Sequence, residues 1–179
     1  MAAGRGGSPL FRVGGMLPNQ KESDILFMAI ALEEAKRGAE QGEIPVGALL
    51  ISSAGEELGR AHNAPVRLMD PTAHAEILAL RQGAERSRNY RLAGATLYVT
   101  IEPCSMCAGA ILQARLGRLV FGARDPKAGA VVSLFQILRD LRLNHQVKIR
   151  EGVLEEECQA LIRSFFQVQR LAHAKSQNA

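Results

Sequence analysis

The stretch TLYVTIEPCSMCAGAILQARLGRLVFGA, residues 96–123, decides the fold. Its first six residues, TLYVTI, are almost wholly apolar and rich in β-branched and aromatic side chains, the pattern of a buried strand. MCAGAILQARL (106–116) reads as a helix, and RLVFGA (118–123) as another strand.

The alternation continues outward on both sides. From Ser23 a helical period begins: Ile25, Met28, Ala29 and Leu32 recur at i, i+3, i+4 and i+7, and Gly42 closes the run. IPVGALLIS (44–52) is a strand apolar enough to be covered on both faces, SSAGEE is a turn, and ELGRAHN (57–63) returns as a second strand. Residues 72–86 read as a helix. VSLFQILRDL (132–141) reads as a short helix, QVKIREG (146–152) as the fifth strand, and LEEECQALIRSFFQVQRLAHA (154–174) as a last amphipathic helix. No internal repeat is visible. Strands alternating with helices predict an α/β fold, a three-layer α/β/α sandwich around a central mixed five-stranded sheet.

The chain has 179 residues, which suits one domain, and 47 % of them are hydrophobic, enough for a core without staples. Residues 1–20 are Gly-rich and aperiodic and are expected to be disordered, with a single domain over 21–179. They contain no apolar signal core, and Met16 is a second candidate start. No run approaches the roughly 18 uninterrupted apolar residues of a membrane helix, so no membrane association is expected. Three cysteines, two of them in a close pair, do not form a disulfide framework; a reducing, cytoplasmic setting with free thiols is the expectation. The net charge is +4, and half of that excess comes from Arg5 and Arg12 in the acid-free N-terminal stretch, so the tilt toward nucleic acid is weak. Aromatic residues make up only 4 %, with no Trp, which argues against broad base-stacking platforms.

Four polar residues carry the chemistry. Cys104 and Cys107 stand at i, i+3, which places both sulfurs on one helix face. Pro103 suits the first helical position, so both cysteines fall in the first turn, where the helix dipole favours the thiolate that zinc binds. Two cysteines do not close a tetrahedral site, and Cys158 lies far off in the last helix, where it reads as a small core residue. His74 follows DPT, a helix start in which Asp70 or Thr72 caps and Pro71 fits the first turn. Both helix starts follow strands, so they gather at one sheet edge. One histidine and two cysteines leave a fourth position on zinc for water, the arrangement of a catalytic site. Glu76, two residues beyond His74, is then placed to move that water's proton to a leaving group.

Taken singly these motifs are weak. A lone C-x-x-C is also found in redox sites or simply packed, and H-x-E is common by chance. A structural zinc site needs a fourth ligand that the sequence does not offer. A thioredoxin-like motif does not explain H-x-E.

The HAE and PCSMC stretches together resemble the H-x-E…P-C-x-x-C signature of the zinc-dependent nucleobase deaminases. IPVGALL, HN, DPTAHAEILALRQ, NYRL, FGARDPKAGA, NH and FF extend the resemblance to the bacterial tRNA-specific adenosine deaminases, from about Ser23 to about Arg170. The resemblance implies a cytidine deaminase-like fold. It implies a homodimer that converts the wobble adenosine of a tRNA, the arginine tRNA with anticodon ACG, to inosine. It implies one zinc per subunit on His74, Cys104 and Cys107, with Glu76 as proton shuttle. It also implies contacts to the flipped base from Asn63 and the backbone of Ala75, and to the anticodon stem-loop from Asp125, Lys127, Asn144, Phe166 and Arg170. The role of Arg124 is left open.

The residues alone leave some roles undecided. Pro45 and Val46 wall a base pocket or belong to plain strand core. Asn63 pairs with a base edge or is a turn residue. Phe165 is expected to pack inward and Phe166 outward. His62 and His173 read as surface residues, and His145 as a loop or supporting residue. Two rival functions follow from the same sequence: a deaminase of free bases or nucleosides, and a non-catalytic RNA-binding subunit.

Overall fold

A computed structural model describes residues 19–177, with side chains through residue 172; of the stretch 1–20 expected to be disordered, residues 1–18 lie outside the described residues, as does the side chain of His173, while Asn19 and Gln20 open the first helix. The first helix, α1 (Gln20–Glu40), begins three residues before Ser23. Asn19 starts it with a capping box: its side-chain oxygen accepts from Lys21 N and Glu22 N at 3.0 Å, while Glu22 accepts from Asn19 N at 3.1 Å. Gly42 reverses the chain at φ 80°, a left-handed conformation costly for a side chain. Then come β1 (Gly47–Ile51), β2 (Glu57–His62), a one-turn helix α2 (Pro65–Leu68), α3 (Ala75–Ser87), β3 (Thr96–Ile101), α4 (Ser105–Gln113), β4 (Arg118–Ala123), β5 (Lys148–Arg150) and α5 (Glu155–Gln177).

The sheet order is β2-β1-β3-β4-β5. β1 runs antiparallel to both β2 and β3, while β3, β4 and β5 are mutually parallel. The three-layer mixed sheet expected from the sequence is therefore the fold. Alternate residues of each central strand serve the two layers. Leu50, Leu97, Val99, Leu119 and Phe121 pack with Ala79, Ala108 and Ile111 under α3 and α4. Leu49, Tyr98 and Val120 pack with Met28 of α1 and Cys158 of α5 on the opposite face. Full burial of each such aliphatic side chain stabilises the fold by roughly 2 kcal/mol.

α1 is also tied to the sheet by charge. Asp24 is fully buried and accepts from Arg118 at 2.6 and 2.7 Å, from Arg150 at 2.6 Å and from Tyr98 Oη at 3.0 Å. Burial pushes its carboxyl up, but the hydrogen bonds from Arg118 and Tyr98 and the Arg118 charge outweigh it and hold the carboxyl below its usual range.

Some expected elements are shorter or absent. The strand expected over 44–52 pairs only over Gly47–Ile51, and β5 is three residues long. VSLFQILRDL forms only a 3₁₀ turn, Ile137–Arg139. Val132 N and Ser133 N go to the Glu102 carboxylate and Leu134 N and Phe135 N to Gly129 O, and Ile137 N, which would close a helical turn on Ser133 O, goes instead to Ala130 O. α2 has no counterpart in the sequence reading.

Candidate metal centre and active site

His74 and Cys104 are the N-cap residues of α3 and α4, both with extended backbone and neither with a side-chain capping bond. This corrects the expected caps. Asp70 instead closes the preceding turn, accepting from Thr72 N at 2.8 Å and Thr72 Oγ1 at 2.7 Å, and Pro103 lies before the cap rather than at the first helical position. As N-caps, His74 and Cys104 hold their side chains over the positive ends of two helices, and Cys107 sits in the first turn of α4.

The sulfurs of Cys104 and Cys107 each lie 3.6 Å from His74 Nδ1, and the three donor atoms are all within 4.8 Å of one another. Tetrahedral zinc with Zn–S of ~2.3 Å and Zn–N of ~2.0–2.1 Å has an N···S edge of about 3.6 Å, so the donors stand at the separation the ion requires. Their protons are distributed accordingly. The hydrogen bond from Cys107 is the chief cause that brings the Cys104 thiol down to about 4, against burial and with help from His74; the same bond, with burial, pushes Cys107 up. The hydrogen bond to Cys104 raises His74, burial opposes it, and the charges of Glu76 and Cys104 add to the rise. Two sulfurs, one of them drawn towards its thiolate form, beside an imidazole nitrogen are a donor set suited to zinc.

Glu76, in the first turn of α3, is 3 % exposed. Burial pushes its carboxyl up, and among the described residues its Oε2 is buried with no hydrogen-bond partner. Such an orphaned acceptor is expensive unless something enters to meet it. It faces a cavity of about 270 Å³ that is also lined by Val46, Asn63, His74, Cys104 and Asp125. That is small against the roughly 300–1,000 Å³ of drug-sized clefts, and it suits one planar ring system. Asn63 Oδ1 accepts from Ala75 N at 2.9 Å, which fixes the amide and leaves its NH₂ as the donor available to the cavity. The Ala75 N–H is therefore engaged by Asn63. Val46 lines the cavity, whereas Pro45 is buried outside the lining.

The expected outer residues divide. Lys127, Phe166 and Arg170 share a second hollow of about 450 Å³ between the loop after β4 and α5. Phe165 is half-buried and Phe166 exposed, in an edge-to-face pair with centroids 5.6 Å apart. Asn144 stands apart: it is exposed and accepts from Arg115 at 2.9 Å, beside His145 and the start of β4, at the sheet end opposite the cysteines. Arg124 pairs with Glu151 at 2.7 Å. His62 is not a surface residue; it is half-buried against Gly38, with Nδ1 3.3 Å from the buried Glu34. Cys158 is a core residue, as expected.

Two buried carboxylates at the site were missed. Glu43 accepts from Val66 N at 3.3 Å and Arg67 N at 2.8 Å and so holds α2 against the cavity mouth. Glu102, 3 % exposed, accepts from Val131 N at 3.0 Å, Val132 N at 2.7 Å, Ser133 N at 2.9 Å and Asp125 N at 3.1 Å, and from the Ser133 hydroxyl. The only sequence signal was a carboxylate ending an otherwise apolar strand.

The model of the cytidine and deoxycytidylate deaminase zinc-binding region matches residues 21–123, which include the three donors and Glu76. The chain is 50 % identical over 151 residues to the tRNA-specific adenosine deaminase of Haemophilus influenzae, covering 84 % of this chain and 87 % of that one. It is 46 % identical over 143 residues to the Bacillus subtilis protein of the same name, covering 80 % and 88 %. A solved structure from work on A-to-I editing by tRNA:A34 deaminases at the wobble position superimposes with a TM-score of 0.73 at 43 % identity, covering 76 % of this chain and 98 % of that one.

Proposed function

Because the chain belongs to the cytidine and deoxycytidylate deaminase zinc-binding family, we propose that it hydrolytically deaminates adenosine in tRNA, at the wobble position of the anticodon loop, giving inosine. The arginine tRNA with anticodon ACG is the proposed substrate, and the cytoplasm the proposed place of action. The observation that carries this reading is the unpartnered Glu76 oxygen beside the His74, Cys104 and Cys107 donors, in a cavity with room for one base.

His74, Cys104 and Cys107 would hold zinc. When bound, zinc supplies a Lewis acid that lowers the pKa of water to about 7. Glu76 takes a proton from water and returns it to the amine that leaves C6 of adenine. Its raised carboxyl suits a group that must both accept and release a proton. Asn63, oriented by the Ala75 N–H, offers its NH₂ to a ring acceptor. The base must leave its stack to enter the cavity, and an anticodon loop, already single-stranded, limits that cost to a few kcal/mol. Asp125 at the mouth, with Lys127, Arg170 and Phe166 beyond it, forms the proposed anticodon-loop surface: two cations for phosphates and one exposed ring for stacking. Asn144 lies outside this surface. A homodimer is proposed on the family resemblance.

The test is inosine formation in an ACG anticodon stem-loop by the zinc-loaded protein, run beside free adenine, guanine and cytosine. Inosine in the RNA, with the free bases untouched, supports the reading. Turnover of a free base without inosine in the RNA replaces it with the free-base reading. Intact stem-loop binding with full zinc and no turnover of any substrate replaces it with a non-catalytic role.

A further inference from the structure

Glu102 is neither a metal donor nor the proton shuttle, yet it makes more hydrogen bonds than any donor of the metal centre. One oxygen receives three successive backbone N–H groups, of Val131, Val132 and Ser133. The other receives Asp125 N and the Ser133 hydroxyl. The carboxylate is therefore the internal template on which the loop 125–133 folds, in the place a strand or helix partner would otherwise take. The fit is close from the loop's side as well. A Cβ at Gly129 would collide with the Glu102 carboxylate and with Asp125 O. A further bond locks the loop to the cysteine-bearing turn: Ala130 N donates to Pro103 O at 2.8 Å, within an isolated antiparallel bridge that pairs Gly129 with Cys104. Within the loop, Asp125 accepts from Lys127 N at 2.9 Å, so the orientation of Lys127 follows from that of Asp125.

We propose that Glu102 is a positioning residue that couples the metal-bearing turn to the substrate-reading loop, fixing Asp125 at the cavity mouth and, through it, Lys127 at the outer hollow. This rests on the RNA reading above, in which those two residues meet the anticodon loop. Glu102→Gln separates the two oxygens chemically. The amide oxygen can keep Val131–Ser133, while the NH₂ now faces the Asp125 N–H, donor against donor, and releases it. Gly129→Ala disturbs the same contact from the opposite side and leaves the carboxylate intact.

The experiment compares wild type, Glu102→Gln and Gly129→Ala, all zinc-loaded, in three readouts: zinc per chain, amide hydrogen exchange of 125–133, and KM against kcat on the anticodon stem-loop. The expected result is full zinc, faster exchange confined to the loop, and a KM raised roughly tenfold with kcat held within about twofold, tenfold being about 1.4 kcal/mol of binding. Parallel loss of zinc and kcat with an unchanged KM would overturn the proposal and make Glu102 a support of the metal turn alone. Unchanged exchange would overturn it as well. If wild type makes no inosine, the RNA reading falls by itself, and the exchange comparison still decides whether Glu102 templates the loop.

Discussion

Replacing Asp24 with Ala removes the one carboxylate that meets Arg118, Arg150 and the Tyr98 hydroxyl. Asp24 is fully buried, and the side chains of Arg118 and Arg150 are 18 % and 33 % exposed. Breaking a buried ion pair from one side costs about 3–5 kcal/mol, because the partner charge is left without compensation. Arg150 is exposed enough to regain water, which places the expected loss at the lower end, about 3 kcal/mol. For a domain of this size 1 kcal/mol moves Tm by roughly 2–4 °C, so thermal unfolding followed by circular dichroism should show a fall of about 6–12 °C at pH 7. Asp24 is on the buried side of α1, on the sheet face opposite α3 and α4, so zinc content at room temperature should be unchanged. The pH dependence gives a second arm. The folded carboxyl lies below its unfolded value, so the stabilisation is complete above about pH 4 and is lost as pH falls through the folded value. The gap between wild type and variant should therefore narrow below pH ~4. A loss under about 1 kcal/mol at pH 7, the size of a surface pair, would refute the argument that this network anchors α1.

Glu76→Ala should retain zinc and stem-loop binding while turnover falls at least about 10²-fold, the usual worth of a positioned acid–base group; retained turnover would remove Glu76 from the mechanism. Cys104→Ala should lose the metal, because a histidine and one sulfur do not close the site, and metal analysis of the purified variant checks this. Asp125→Ala should leave zinc intact and slow inosine formation in the stem-loop. The side chain also accepts from Lys127 N and Ala128 N, so its loss frees Lys127 as well; an unchanged rate would take Asp125 out of the RNA surface.

What the sequence made legible was whatever local pattern decides. TLYVTI and RLVFGA form strands over the expected residues because each is an uninterrupted run buried on both faces. The metal donors were legible because His74, Cys104 and Cys107 have few other uses together, even though both caps were misplaced by a residue or more. The buried carboxylates were not legible. Asp24 draws partners from β3, β4 and β5, and Glu102 from 23 to 31 residues away, so nothing near either residue marks it as buried. The expected helix over 132–141 also gives way to tertiary contacts: its aliphatic period is real, but Ile137 N, which would close a turn on Ser133 O, goes to Ala130 O. His62 was misread for a like reason, since Glu34 on α1 reaches it only once the sheet has formed.

The mixed sheet has a consequence for how such a protein can diverge. The sulfurs and Glu102 follow β3 in the parallel half, while Val46 and Asn63 border the antiparallel hairpin β1–β2. The sulfurs thus come from one stretch of chain and Val46 and Asn63 from another, and the start of α3, with His74 and Glu76, joins the two through the Ala75 N–H that Asn63 accepts. Substitutions at Ile44, Val46, Pro65 and Val66 can remodel what enters without replacing a metal donor or its neighbours, and changes after β4 can alter what is gripped outside. A lineage built on this plan can exchange one amino-bearing ring for another by small steps and keep the hydrolytic chemistry throughout.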